Sequence, residues 1–365
     1  MSRIVVAMSG GVDSSVAAAL LAEEGHEVVG ISMQLYDASG AVDGGRGFGS
    51  CCSLDDLQDA RRVAAAIGIP HYILNFERQF DDHVVSNFVR EYAAGRTPLP
   101  CAHCNSDLKF ATLADRAALL GADRVATGHY ARVARDPTTG RCLLKRGADP
   151  SKDQAYFLFS LTQDQLAHAL FPIGDRPKDA VREYARRRRL PVADKPDSQE
   201  ICFVPDGDYA AFVARRAPEA AQGGAIVDER GQLLGRHAGI HRFTVGQRKG
   251  LGLSTHASAS SAPLYVLAVR PAERQVVVGP KASLERTALV ASGVNWIVEA
   301  PEGPRRVTAQ IRHRHQPSPA TVRPAGEGRA EVVFDAPQVA VTPGQAVVFY
   351  DEDLVVGGGW IDEAS

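Results

Sequence analysis

The chain is poor in the features that mark several large protein classes. It has two Trp, three Met and only 7% aromatic residues. No apolar run nears the roughly 18 residues that a membrane helix needs, so no membrane partner is expected. An excess of charge of one sign is also missing, since Lys plus Arg number 41 against 43 Asp plus Glu, a net charge of -2. The whole-chain sum therefore carries none of the electropositive signature of a nucleic-acid binder. A secretory leader is lacking too: the opening run Ile4 to Met8 is short and is broken by Gly10, Gly11 and Asp13, which makes a cytoplasmic location the expectation. In that reducing compartment the six cysteines, Cys51, Cys52, Cys101, Cys104, Cys142 and Cys202, do not read as a static disulfide framework.

What is present describes a folded enzyme-sized chain. Its 365 residues, 45% apolar and 23% charged, match about two to three domains. From residue 1 to about 130, short β-branched runs alternate with helical patterns. Arg3 to Met8, Glu27 to Met33, His71 to Asn75 and Arg124 to Thr127 read as strands. Ser14 to Glu24, Leu54 to Ile67, Phe80 to Ala94 and Asp107 to Leu120 read as helices. This alternation predicts an α/β doubly wound, mostly parallel sheet. Residues 223 to 260, rich in Gly, Ser, His and basic side chains, read as a small middle module. From about 263 the short runs Leu264 to Val269, Gln275 to Val278, Val307 to Ile311, Ala330 to Phe334 and Ala346 to Tyr350 predict an all-β barrel or sandwich. The expected boundaries are 1–206, 207–272 and 273–365.

The segment Ala7-Met8-Ser9-Gly10-Gly11-Val12-Asp13-Ser14-Ser15 follows a strand and opens a helix. Glycines let backbone approach a ligand closely, Asp13 and Ser14 are helix-capping types, and the amides with the helix dipole attract anions. No Gly-Lys-Ser/Thr ending follows, so this is not a Walker loop. The order resembles instead the pyrophosphate loop of enzymes that split ATP into AMP and pyrophosphate. An ordinary strand-to-helix turn is the plain alternative.

Such enzymes adenylate an oxygen, and a nucleophile must then displace AMP. Cys101-Ala-His-Cys104 is expected in the loop Gly95 to Pro100, just before a helix beginning near Asn105, where a thiol pKa falls and thiolate forms. By spacing alone the pair is a redox couple, half a zinc site with His103 or His129 the only suggestive partner, an iron-sulfur anchor, or two packing thiols. Cys202 follows in Pro196-Asp-Ser-Gln-Glu-Ile-Cys-Phe203. Cys51, Cys52 and Cys142 read as buried or incidental.

Seven ordered blocks then make the resemblance specific: Ser9 to Ser15; Gly95-Arg-Thr-Pro98 with Cys104-Asn105 and Lys109-Phe110; Ala126 to Ala131; Lys152 to Leu158; Asp197 to Phe203; Phe243 to Gly252; and Pro343-Gly-Gln345. Across nearly its full length the chain resembles the bacterial tRNA-specific 2-thiouridylases, a family of the PP-loop ATP pyrophosphatase superfamily that thiolates the wobble uridine. The resemblance implies an adenine nucleotide alpha hydrolase-like N-terminal domain, a small middle domain and a C-terminal β-barrel. It implies ATP with Mg2+ on Ala7 to Ser14, with further nucleotide contacts at Met33 and Gly128. Cys104 matches the nucleophile and Cys202 the persulfide carrier, and Asp13 and Cys101 complete the candidate catalytic set. Implied tRNA contacts are His129, Lys152, Asp153, Gln154, Arg312, His313, Arg314 and Gln345. The implied partners are a tRNA anticodon loop and a persulfide relay protein or cysteine desulfurase.

One position departs from the commoner Asn-Pro-Asp pattern: here it reads Leu99-Pro100-Cys101. A thiol replaces the acid, which raises the hypothesis that Cys101, Cys104 and Cys202 hold a [4Fe-4S] cluster. The basic clusters Arg186 to Arg189, His241-Arg242, Gln247 to Lys249 and Arg312 to His315, the last expected on a strand, are candidates for local positive charge; for the four arginines a solvated helix face is the competing reading. Two rival functions remain, an ATP pyrophosphatase acting on a small metabolite and a non-enzymatic RNA-binding sulfur carrier.

Overall fold

A computed structural model describes residues 1–36, 54–197, 201–204, 206–253 and 263–365. Cys51 and Cys52, and Ser198 to Glu200 of the Cys202 block, lie outside the described residues. The chain forms two compact units. One comprises Met1–Val84, Cys101–Gly207 and Asp353–Val355; the other comprises Val85–Pro100, Asp208–Glu352 and Val356–Ser365.

The first unit is built on β1 (Arg3–Ala7), α1 (Val12–Glu23), β2 (Glu27–Gln34), α2 (Leu54–Ile67), β3 (His71–Asn75), β4 (Arg124–Ala126), the hairpin β5 (Ala131–Arg135) and β6 (Cys142–Arg146), and β7 (Ala169–Leu170). The sheet order is β3-β2-β1-β4-β7, with every pairing parallel. This is the expected doubly wound sheet. β1 is central, and Ile4, Val5, Val6 and Ala7 are buried because helices cover both faces of a parallel sheet. Leu57, Ala60, Val63 and Ala64 of α2 fill one side, the spacing that makes its periodicity readable. By contrast α1 is buried nearly all round, because the helix Lys178–Arg187 packs on the face turned away from the sheet.

Two helical readings need correction. The helix expected over Phe80 to Ala94 begins at Glu77 and widens into a π-helical turn at Asp81–Val85 before continuing as Ser86–Ala93. The helix expected near Asn105 begins at Pro100 and becomes π-helical over Cys104–Thr112. Proline fits a first helical position because its φ is preset and its missing N–H would have no partner there. The Cys-X-X-Cys pair therefore lies within helical backbone.

In the second unit β8 (Gly224–Val227), β9 (Leu233–His237), β10 (Tyr265–Arg270) and β11 (Gln275–Gly279) form a sheet of order β10-β11-β8-β9. Gln275–Gly279 thus belongs with the middle module, beyond the expected boundary at 272. Six antiparallel strands follow: β12 (Glu285–Trp296), β13 (Arg305–Gln310), β14 (Ser318–Pro324), β15 (Ala330–Val339), β16 (Ala346–Asp351) and β17 (Leu354–Ala364). Their order is β12-β15-β14-β13-β16-β17, and pairing of β12 with β17 closes a barrel. Closure removes exposed strand edges. The interior holds Ala291, Val322, Val332, Phe349 and Ile361. The segment Val85–Pro100, expected in the N-terminal domain, belongs to this unit: Tyr92 stacks on Tyr209 at 4.7 Å and Phe88 meets Phe212 edge-on at 6.2 Å.

Phe349 is fully buried, its ring 5.7 Å from that of Trp296. Phe349→Ala is expected to cost about 3–5 kcal/mol, read as a lower urea midpoint of the barrel transition, through lost burial and the cavity left behind.

Candidate functional site

The glycine loop lies where the sheet reverses direction. Chain order runs outward from β1 through β2 to β3 on one side and reaches β4 on the other, which leaves a crevice beyond the carboxyl ends of β1 and β4. Ligands of open α/β sheets bind at such points. Gly10 has φ +72°, and a Cβ there would strike the Asp56 carbonyl. Gly128, just past β4, lies so close that its Cβ would overlap the Ser14 amide and the Asp13 backbone. Both glycines are therefore required by close backbone approach. Met33 is buried in β2, as are Ala7 and Met8 at the end of β1.

Local hydrogen bonds shape the loop from within. The Ser9 amide donates to Ser14 Oγ at 3.2 Å, and Ser15 Oγ donates to the Gly11 carbonyl at 2.7 Å. Gly11 is the helix N-cap and supplies no side chain to the first amides of α1. Those amides and the positive end of the helix dipole point into the crevice, a setting suited to phosphate.

Ion pairs brace the loop from outside. Lys195 Nζ donates to the Gly10 carbonyl at 3.1 Å and to Asp59 at 2.6 Å, and it also pairs with Asp56. Burial pulls the Lys195 pKa down, but its bonds to the two aspartates outweigh this and leave it raised. Asp13 does not face the crevice unpartnered: Lys178 Nζ donates to both its oxygens at 2.8 Å, and Tyr130 Oη donates at 2.7 Å. Burial first, and then the Asp13 charge, push the Tyr130 phenol up, so it stays protonated as a donor. The expectation of Asp13 as a catalytic group thus meets a residue engaged in positioning.

Cys104 is buried at the start of the π-helical run, Cys101 is exposed, Cys142 is buried and Cys202 is half-buried. Phe203, next to Cys202, meets Phe80 edge-on at 5.5 Å, and the turn Glu77–Phe80 packs against Cys104–Thr112. One aromatic contact thereby ties the Cys202 segment to the neighbour of the Cys104 helix. Among the described residues no group of three or more His, Cys, Asp or Glu side chains is disposed to hold a metal ion. Cys101, Cys104 and Cys202 do not make a three-thiolate site in this arrangement.

The expected RNA-contacting residues divide into two kinds. His129 is half-buried between Phe110 and Phe171 and shares a 2.7 Å hydrogen bond with Thr127. Burial and the Lys109 ammonium push its pKa well down, so the ring is neutral near pH 7. Asp153 accepts from Arg146 at 2.7 Å and from the Gly147 and Ala155 amides; Gln154 accepts from the Tyr130 amide at 3.0 Å. Gln345 donates to the Thr97 and Pro98 carbonyls at 3.0 and 3.1 Å. These three side chains hold their own chain in place. Arg312, His313 and Arg314 are exposed, but they occupy a turn after β13 rather than a strand, with Arg314 at φ +62°.

The other basic clusters also separate. His241 is fully buried and hydrogen-bonds the Ala220 carbonyl at 2.8 Å, whereas Arg242, Arg248 and Lys249 are exposed. Arg186 pairs with Asp194 and Arg188 with Glu23, both at 2.9 Å, as a solvated helix end does. Sequence reasoning missed Tyr130, Lys178, Arg182 and Lys195 as supports of the site. For Tyr130, Lys178 and Lys195 the signal is tertiary, since each acts on a partner far away in the chain, whereas Arg182 acts across a turn on Asp197.

Comparison with known proteins agrees with this architecture. Residues 2–206 match the tRNA methyl transferase HUP domain, 210–280 the tRNA methyl transferase PRC-barrel domain, and 286–361 the aminomethyltransferase beta-barrel domain. The class defined by fold and site is a HUP-type nucleotide-binding domain followed by two β modules. Among curated relatives, the tRNA-specific 2-thiouridylase MnmA of Geotalea uraniireducens (strain Rf4) is 53% identical, covering 99% of this chain and 95% of its own. The protein of the same name from Acidobacterium capsulatum is 52% identical, covering 99% of each chain, and that from Geobacter metallireducens 54%, covering 99% and 97%. The chain belongs to the tRNA-specific 2-thiouridylase family.

Asp197 accepts from Lys152 Nζ, Lys178 Nζ and Arg182 Nη2, each at 2.8 Å. Burial raises its pKa, but Lys152 and Lys178 outweigh that and bring it from 3.8 to about 2. A carboxylate depressed on folding contributes stability above its unfolded pKa and loses it as pH falls toward the folded one. The stability difference between wild type and Asp197→Asn in urea unfolding should therefore stay constant from about pH 7 to about pH 5 and shrink between about pH 4 and about pH 2.

Proposed function

We propose that the protein converts the wobble uridine of tRNA to 2-thiouridine, splitting ATP into AMP and pyrophosphate. The observation that carries this reading is the close backbone packing at the sheet's reversal point, Gly10 against the Asp56 carbonyl and Gly128 against the first turn of α1, whose start has no side-chain cap. A buried thiol, Cys104, on helical backbone of the same compact unit supplies the second half of the chemistry. The shared names of the relatives support the same substrate and reaction.

The α1 amides receive the phosphates, and uracil O2 attacks the α-phosphorus. The bond to the β-phosphate oxygen breaks, pyrophosphate leaves, and the N3 proton is lost. Mg2+ carried on the phosphates offsets their charge. The terminal sulfur of a persulfide on Cys202 then attacks C2, and the C2–O bond breaks to release AMP. Cys104 thiolate attacks the Cys202 sulfur, leaving a Cys104–Cys202 disulfide and a sulfur on C2; N3 regains a proton. An external thiol reductant reopens the disulfide. A sulfur relay protein or cysteine desulfurase reloads Cys202, and the cytoplasm holds both that partner and tRNA.

The persulfide route is favoured over a cluster-held sulfide because the three thiols do not gather as a ligand set among the described residues. An anticodon base is unpaired and can be splayed into a pocket, which suits a reaction at C2. The exposed Arg312, His313 and Arg314 supply charge for the RNA backbone, and steep weakening by salt is the expected signature. A methyl-transfer reading, suggested by the domain descriptions, gives neither the glycine loop nor Cys202 a role. A small-metabolite pyrophosphatase leaves the thiols and the barrel unused.

Mass analysis of nucleosides from tRNA incubated with the protein, ATP, Mg2+ and a persulfide donor tests the reading. Cys104→Ser and Cys202→Ser should each reduce 2-thiouridine by about 100-fold or more while ATP affinity stays within about twofold, as expected for loss of a nucleophile outside the nucleotide site. Retained turnover in either variant refutes the assigned roles. Iron and labile sulfide in anaerobically purified, active protein would refute the metal-free route.

A further inference from the structure

Asp197 stands five residues before Cys202, and its carboxylate is the meeting point of three cations. Lys178 and Arg182 reach Oδ1, and Lys152 reaches Oδ2, all at 2.8 Å. Lys178 is nearly inaccessible, with 9% of its side chain exposed, and the same ammonium grips both oxygens of Asp13 in the first turn of α1. An ammonium buried this deeply needs a carboxylate partner, and Asp13 supplies one whether or not Asp197 is charged. A single ammonium therefore joins the nucleotide loop to the chain that leads into the Cys202 segment.

We propose that Asp197 is a positioning residue for sulfur transfer: it fastens the start of the Cys202 segment to the Lys178–Asp13 pair, so that the thiol is held in register with the nucleotide loop. The inference rests on the proposed roles of Cys202 and of the loop. Asp197 touches neither the α1 amides nor the loop backbone through any described hydrogen bond, and the Lys178–Asp13 pair has its own geometry without it. Loss of the Asp197 charge thus loosens the Cys202 segment while the loop keeps its brace. Arg182 adds a second hold by donating to the Ala193 and Lys195 carbonyls, at 3.3 and 3.0 Å, on the approach to Asp197.

The test measures AMP and 2-thiouridine together in reactions with tRNA, ATP, Mg2+ and a persulfide donor. In Asp197→Asn the ratio of 2-thiouridine to AMP should fall about tenfold while the tRNA-dependent rate of AMP formation stays within about threefold of wild type. Arg182→Gln, which removes one of the three cations, should lower the ratio in the same direction by about threefold, and Asp197→Glu should restore part of it. Lys178→Gln should instead reduce AMP formation itself, because it also strips Asp13. An unchanged ratio in Asp197→Asn, or AMP and 2-thiouridine falling by the same factor in both Asp197→Asn and Arg182→Gln, overturns the proposal. Failure of the underlying reading is separate: wild-type protein would then form no 2-thiouridine.

Discussion

Everything at the candidate site depends on two places where backbone meets backbone and no Cβ fits. Gly10 lies against the Asp56 carbonyl, and Gly128 against the first turn of α1. Together they fix how closely the loop sits against α2 on one side and against the chain after β4 on the other. Side chains there would push the loop away from β4 and separate the α1 amides from the sheet's carboxyl edge. Hydrophobic packing holds the frame in place, with α1 buried between the sheet and the helix Lys178–Arg187. The frame is rigid where phosphate chemistry needs fixed donors.

Charge then builds on that frame. Lys195 clamps the loop at Gly10, and Lys178 clamps it at Asp13. Both lysines come from the stretch just before Cys202, a segment whose own anchor is the ring of Phe203 on Phe80. The glycine loop and the stretch that leads to Cys202 are therefore joined by a few ammonium groups. A net charge of -2 conceals these local concentrations, because Lys178 lies between Asp13 and Asp197 and Lys195 between Asp56 and Asp59.

The alternating α/β pattern was legible because β1 to β4 and α2 carry their own periodicity and stop signals. Leu54–Ile67 and His71–Asn75 have the expected bounds. Much of the barrel was not, for two physical reasons. β17 contains Gly357, Gly358 and Gly359, which weaken any strand pattern, yet glycine is what the close approach of Asn295 and Ser292 requires at two of these positions. β12 carries register shifts that interrupt its alternation. At the site, the loop and thiols were readable as motifs, whereas Lys178, Lys195 and Tyr130 were not, since only the fold brings them to Asp13 and Gly10. Gln345, Asp153 and Gln154 illustrate the reverse: residues expected at an RNA surface spend their polar atoms on this chain's own backbone and side chains.

The proposed reaction cleaves one nucleotide between its α- and β-phosphates for each sulfur delivered. Quantifying AMP and 2-thiouridine in the same reaction, with persulfide donor in excess, tests it directly. AMP should appear only when tRNA is present, the modified base should lie at the wobble position, and the two products should form one for one. ADP as the nucleotide product, AMP formed equally well without tRNA, or sulfur placed at another uridine would contradict it.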